Sequence, residues 1–151
     1  MKILFVCKGN IARSQIAEAL SKKYYDFNSI SAGTKLSNPE LGEMIKNIPL
    51  TENLFIVMNE EGIDFSDKKR KEVTKEMIND VDKIIIMAEE ETIPEFLKNN
   101  KKVIYWKIED PRGKSLEEWR KLVKQLKELL KTLNKQKFSK NFHSLKTAKS
   151  I

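Results

Sequence analysis

The sequence is short of the residues that cross-link a chain or anchor it in a bilayer. Its 151 residues hold one cysteine, one histidine, five glycines and four prolines. One thiol excludes an internal disulfide and agrees with a reducing compartment. No apolar run approaches the length needed to cross a bilayer. The run after Met1-Lys2 is too short for a secretory h-region and no small-residue cleavage site follows it. A cytoplasmic protein without membrane insertion is therefore expected, and with it a monomer. Acidic residues are missing from the end of the chain: five lysines and no Asp or Glu lie from Lys135 to Ile151. The preceding residues carry 24 basic against 22 acidic side chains, so the formal charge of +7 belongs to a tail and not to a domain. A solvated tail is the favoured reading over contact with nucleic acid or anionic lipid. His143 lies in this tail and is given no role.

What remains is one soluble domain, residues 1–134, with a basic tail, 135–151. Lys2 to Val6 reads as a buried parallel strand. A helix follows from about Ile11 to Tyr24, with Ile16, Ala19, Leu20 and Tyr24 on one face. Asn28 to Ser31 is a second strand, closed by Ala32-Gly33-Thr34. Lys35 to Pro49 is a loop with a short helical turn at Glu40–Lys46. Glu52 to Glu61 has a helical period and ends at Gly62. Lys68 to Lys75 reads as charged surface, and Thr74 to Asn79 as a short helix. Ile84-Ile85-Ile86, within Asp82 to Met87, has the continuous apolar character of a central parallel strand. Thr92 to Lys98 reads as a helix with Pro94 in its first turn, and Lys102 to Ile108 as a fourth strand. Ser115 and Glu118 form a capping box that opens a last helix reaching Asn134. The alternation predicts a three-layer α/β/α fold with a four-stranded parallel sheet.

Chemistry concentrates where the first strand meets the first helix, at Val6-Cys7-Lys8-Gly9-Asn10-Ile11-Ala12-Arg13-Ser14. A turn of this length at a helix N-terminus gathers backbone N–H groups around one point, which suits an anion. Gly9 and Asn10 tolerate the left-handed backbone such a nest needs. An ordinary thiol titrates near ~8.5, and helix N-termini, amides and a nearby Arg favour its thiolate. Ser14 falls within hydrogen-bond reach of Cys7, and Arg13 offers a planar fork to two oxygens of a tetrahedral oxyanion. A sulfur so placed faces the central atom of a bound phosphate. The missing acid is supplied by Asp110, in the loop after the fourth strand and restrained by Pro111. Glu109 is the adjacent alternative but is expected to face the other way. Taken singly, Cys7 reads as a small buried hydrophobe and Asp110 as a turn residue. The combination carries the functional reading.

Cys7, Arg13, Ser14, Asp110 and Pro111, with Gly9 and Asn10 in the loop, resemble the low-molecular-weight protein tyrosine phosphatase family, which shares its fold with the thioredoxin-coupled arsenate reductases. Ser31-Ala32-Gly33-Thr34 resembles the segment whose serine braces the loop asparagine in that family. The resemblance spans about Met1 to Leu133. It implies a phosphatase that acts through a cysteinyl-phosphate intermediate, with Cys7, Arg13 and Asp110 catalytic. In this reading Lys8 through Ser14 bind the phosphate, Ser14 and Ser31 support the loop, and no metal or cofactor is needed. The substrate is a phosphorylated protein or small molecule, or an inorganic oxyanion.

Departures from the family pattern narrow the expectation. Arg13-Ser14-Gln15, Asn38-Pro39 and Gly62-Ile63-Asp64 lean toward the arsenate reductases, but no second thiol exists to relay oxidation within the chain. Arsenate reduction with an external small thiol is therefore the alternative to phosphate ester hydrolysis. Ala12 stands where family phosphatases often carry a second loop cysteine. Arg112 and Gly113 follow Asp-Pro where an aromatic is common, so a slot for a phenyl ring is not evident. Lys8 and Arg112 instead suggest an anionic or small phosphorylated substrate. Asp67 stands where the family often has a histidine in the bracing network.

Overall fold

In this computed structural model the backbone is described for residues 1–149 and the side chains for residues 1–136. Readings placed on side chains beyond those, the basic tail and His143 among them, lie outside the described residues. Four strands, β1 (Lys2–Cys7), β2 (Asn28–Gly33), β3 (Lys83–Ile86) and β4 (Val103–Tyr105), form one parallel sheet in the order β2-β1-β3-β4. β1 is central because it is apolar on both faces. Ile3 and Phe5 enter one core, and Leu4 and Val6 the other. The first core is covered by α1 (Arg13–Tyr25), α2 (Glu52–Glu60) and α5 (Leu116–Lys149), and the second by α3 (Lys75–Asn79) and α4 (Glu95–Lys98). The result is the three-layer α/β/α arrangement. Among the described residues no helix is long and apolar enough to cross a membrane.

The structure differs from the sequence reading in several places. β4 keeps three residues of the expected seven, because it is an edge strand and the chain leaves the sheet after Trp106 donates to the Ile86 carbonyl. Pro94 precedes α4 in extended backbone instead of standing inside a longer helix, and Glu90–Thr92 is a separate 3₁₀ turn. Two 3₁₀ turns, Pro39–Leu41 and Ile45–Asn47, replace the single helical turn between residues 40 and 46. Tyr24 is exposed, its hydroxyl donating to Glu61, and Tyr25 packs on the core in its stead. Finally α5 runs past Asn134 to Lys149, through a stretch free of proline and glycine. At its start the Glu118 N–H donates to Ser115 Oγ at 3.3 Å, the N-cap half of the expected capping box.

Candidate active site

The turn from Cys7 to Ser14 leaves the C-terminal end of the central strand, where ligands collect in open parallel sheets. Its shape is set from behind. Asn10 is fully buried with φ of 53°, a left-handed conformation that asparagine tolerates. Its Nδ2 donates to Ser14 Oγ at 2.8 Å and to Ser31 Oγ at 3.0 Å. Its Oδ1 accepts from the Lys71 N–H at 2.9 Å and from Gln15 Nε2 at 3.1 Å. All four hydrogen-bonding positions of the amide are thus filled. Asp67, which stands where the family often has a histidine, is exposed, and it is Gln15 and the Lys71 backbone that brace Asn10.

The far end of β2 fastens the front of the same turn. Thr34 N–H donates to the Cys7 carbonyl at 2.8 Å and Lys35 N–H to the Lys8 carbonyl at 3.0 Å. This seam is so tight that a Cβ on Gly33 would lie 2.6 Å from the Lys8 carbonyl oxygen and 3.1 Å from the Asn10 nitrogen. Glycine is required there for close approach.

Cys7 is 2% exposed and its Sγ lies 3.0 Å from Ser14 Oγ. Cys7, Lys8, Gly9, Ile11, Ala12 and Arg13 line a cavity of about 90 Å³, the scale of a tetrahedral oxyanion or of about three waters. Lys35, Ser37, Asp110 and Arg112 line its mouth. The fold therefore gathers Cys7, Arg13 and Asp110 around one space, although β3 separates β1 from β4 in the sheet. Asn10, Ser14 and Ser31 stand behind the turn. Asp110 is exposed, and its Oδ1 accepts from the Arg112 N–H at 3.1 Å. Glu109 points elsewhere, as expected, pairing with Lys114 at 2.6 Å.

Arg13 is the member whose partners the sequence did not reveal. Its guanidinium is 3% exposed, with Nη1 donating to the carbonyls of Met87 at 2.6 Å and Ile108 at 3.0 Å. Nη1 also meets Glu89 Oε1 at 2.9 Å, whereas Nη2 reaches Glu89 Oε2 only at 3.5 Å. Burial works to raise the Glu89 carboxyl, but the hydrogen bonds and charge of Arg13, with the charge of Lys8, hold it below the usual carboxylate range. Glu89 lies just beyond β3 on the ligand-binding edge of the sheet, a position that could have marked it. Arg70 is a second omission. The stretch read as charged surface contains this arginine, 2% exposed, which donates to the carbonyls of Ser37 at 2.6 Å, Asn38 at 2.8 Å and Gly42 at 2.9 Å. It pins the loop that carries Lys35 and Ser37. A lone arginine in a run of lysines was its signal, since only the planar fork serves several carbonyls at once.

Comparisons with known proteins identify relatives of the chain. A family model described as low molecular weight phosphotyrosine protein phosphatase matches residues 2–144. A glutaredoxin arsenate reductase of Synechocystis sp. is 30% identical over 136 residues, covering 87% of this chain and 95% of that protein. Among solved structures, a YwlE arginine phosphatase mutant with a phosphorylated active-site serine in place of cysteine has a TM-score of 0.74. It is 27% identical, covering 90% of this chain and 95% of that one. A low molecular weight protein tyrosine phosphatase from T. tengcongensis has a TM-score of 0.70 at 27% identity, covering 90% and 99%.

Proposed function

The chain belongs to the low molecular weight phosphotyrosine protein phosphatase family and is a hydrolase of that type, and we propose that it hydrolyses phosphomonoesters through a cysteinyl-phosphate intermediate on Cys7. The observation that carries this reading is the Cys7 sulfur at the base of a cavity shared with Arg13 and Asp110, 3.0 Å from the Ser14 hydroxyl. Cys7 attacks phosphorus in line with the ester oxygen, and the phosphorus–oxygen bond breaks as the sulfur–phosphorus bond forms. The backbone N–H groups of the turn and the Nη2 end of Arg13 hold the three remaining oxygens. Ser14 donates to the sulfur, steadying it as nucleophile and later as leaving group. Asp110, at the mouth, protonates the departing alcohol. It then takes a proton from the water that attacks the phosphocysteine, releasing phosphate and restoring the thiol site.

The test is hydrolysis of para-nitrophenyl phosphate by wild type, Cys7→Ser and Asp110→Asn. Cys7→Ser loses turnover, and retention of wild-type turnover by it sinks the mechanism. Asp110→Asn slows turnover about 10²-fold or more with phenyl phosphate, and less with para-nitrophenyl phosphate, whose leaving group needs no proton.

The curated relative that is an arsenate reductase supports a second reading in the same cavity. Arsenate would add to Cys7 with loss of water, and two external thiols would leave as a disulfide while arsenate gains two electrons and departs as arsenite. Arsenate-dependent consumption of glutathione at a rate exceeding ester hydrolysis would favour this reading.

A further inference from the structure

The cavity is more cationic than a phosphate alone requires. Lys8 and Lys35 stand side by side at its mouth, because the Lys35 N–H is bonded to the Lys8 carbonyl across the seam with β2. Arg112 lines the same cavity from the loop after β4, its Nη2 donating to the Pro49 carbonyl at 3.1 Å. Among the described residues none of these three cations forms an ion pair with a carboxylate, while Lys22, Lys98, Lys114, Arg120 and Lys121 all do. The Arg112 Nε is moreover buried without a hydrogen-bond partner, a costly state for a guanidinium N–H that an acceptor on a ligand would relieve. The carboxylates nearby are already engaged or spent. Glu89 is bound to Arg13, and Asp110 must be protonated to serve as the acid. Among the described residues no aromatic side chain lines the cavity.

We propose that Lys35 and Arg112, lining one cavity with Lys8, form a second anion subsite, and that the preferred substrate is a phosphomonoester with another anionic group close to the ester. This inference rests on the phosphatase reading for its placement of the phosphate. The first group sits in the turn over Cys7. The second, a carboxylate or phosphate, meets the Lys35 ammonium and the Arg112 fork at the mouth, where it also gives the buried Nε an acceptor. A neutral phenyl ring gains nothing from such a rim.

Binding by the full-length protein tests the subsite apart from the chemistry. The probes are para-carboxybenzylphosphonate and para-carbamoylbenzylphosphonate, non-hydrolysable and matched in shape, titrated calorimetrically. The carboxylate binds about tenfold more tightly than the amide at low salt, and the gap narrows in about 0.5 M sodium chloride. Lys35→Met and Arg112→Met each shrink the ratio, and the double variant brings it near one. Equal binding of the two probes by wild type, or a ratio that survives the double substitution, overturns the subsite. If the charge preference is present but no phosphomonoester is hydrolysed, the phosphatase reading falls and the subsite stands. If esters are hydrolysed without charge preference, the reverse holds. Two hydrolysis arms identify the source of the second charge. Phosphotyrosine peptides flanked by Glu are compared with the same peptides flanked by Gln, and para-carboxyphenyl phosphate with its amide. A preference confined to the peptides assigns the subsite to proteins, one confined to the small ester assigns it to small molecules, and neither overturns it.

Discussion

Asn10 shows how much of the site depends on a side chain that never touches the cavity. Its amide joins Ser14, Ser31, Gln15 and the Lys71 backbone, so Asn10→Ala removes four hydrogen bonds at once, along with the residue type suited to a positive φ. We expect a loss of about 2–3 kcal/mol in urea unfolding and a fall in turnover of about 10²-fold. Gly33→Ala drives a Cβ into the Lys8 carbonyl, and we expect destabilisation of about 1–3 kcal/mol with the turn displaced and activity lost. Glu89 occupies the same guanidinium that the proposed chemistry assigns to the substrate's oxygens. Its folded carboxyl titrates below the ordinary value near ~4.3, so its ion pair is intact above that pH, and the stabilisation is lost only as pH falls through the lower folded value. Glu89→Gln removes the competing charge. Inhibition by inorganic phosphate should then strengthen about two- to fivefold, a weakening instead marking Glu89 as an orienting group for Arg13. Sequence alone brought Cys7, Arg13, Ser14 and Asp110 into view because their chemistry is rare and their spacing informative. Gln15, Glu89 and Arg70 escaped because each acts through backbone carbonyls or neighbours distant in the chain, which no local pattern records.

Among the elements, the strands β1 and β3 were legible because a sheet covered on both faces demands continuous apolar runs, which Ile3 to Val6 and Ile84 to Ile86 provide. The edge strand β4 was overextended for the opposite reason. Val103 and Ile104 look like a core strand in sequence, yet they are only half-buried in a three-residue pairing. The helix α5 was legible at its capped start and along its buried stripe of Trp119, Leu122, Val123, Leu126, Leu130 and Leu133, but not at its end, which carries no glycine to stop it. Trp119 is the largest of the fully buried side chains, and Trp119→Ala should cost about 3–5 kcal/mol in chemical denaturation. A cost below about 1 kcal/mol would mean that α5 does not close the first core.

At the scale of the whole molecule, the fold places the only sulfhydryl of the chain at the C-terminal edge of a parallel sheet. With Ala12 in the turn and no other cysteine, nothing in the chain can trap an oxidised Cys7 as a disulfide. Peroxide should therefore carry it to the sulfinic acid, and dithiothreitol should not fully restore activity after prolonged exposure. Full recovery would contradict this.

That the sole thiol lines the cavity and is only 2% exposed makes the protein its own occupancy gauge. An alkylating reagent must pass through the mouth that a ligand would block. One label per chain then counts the molecules whose pocket is unfilled, and protection from labelling ranks unknown ligands before any turnover has been observed.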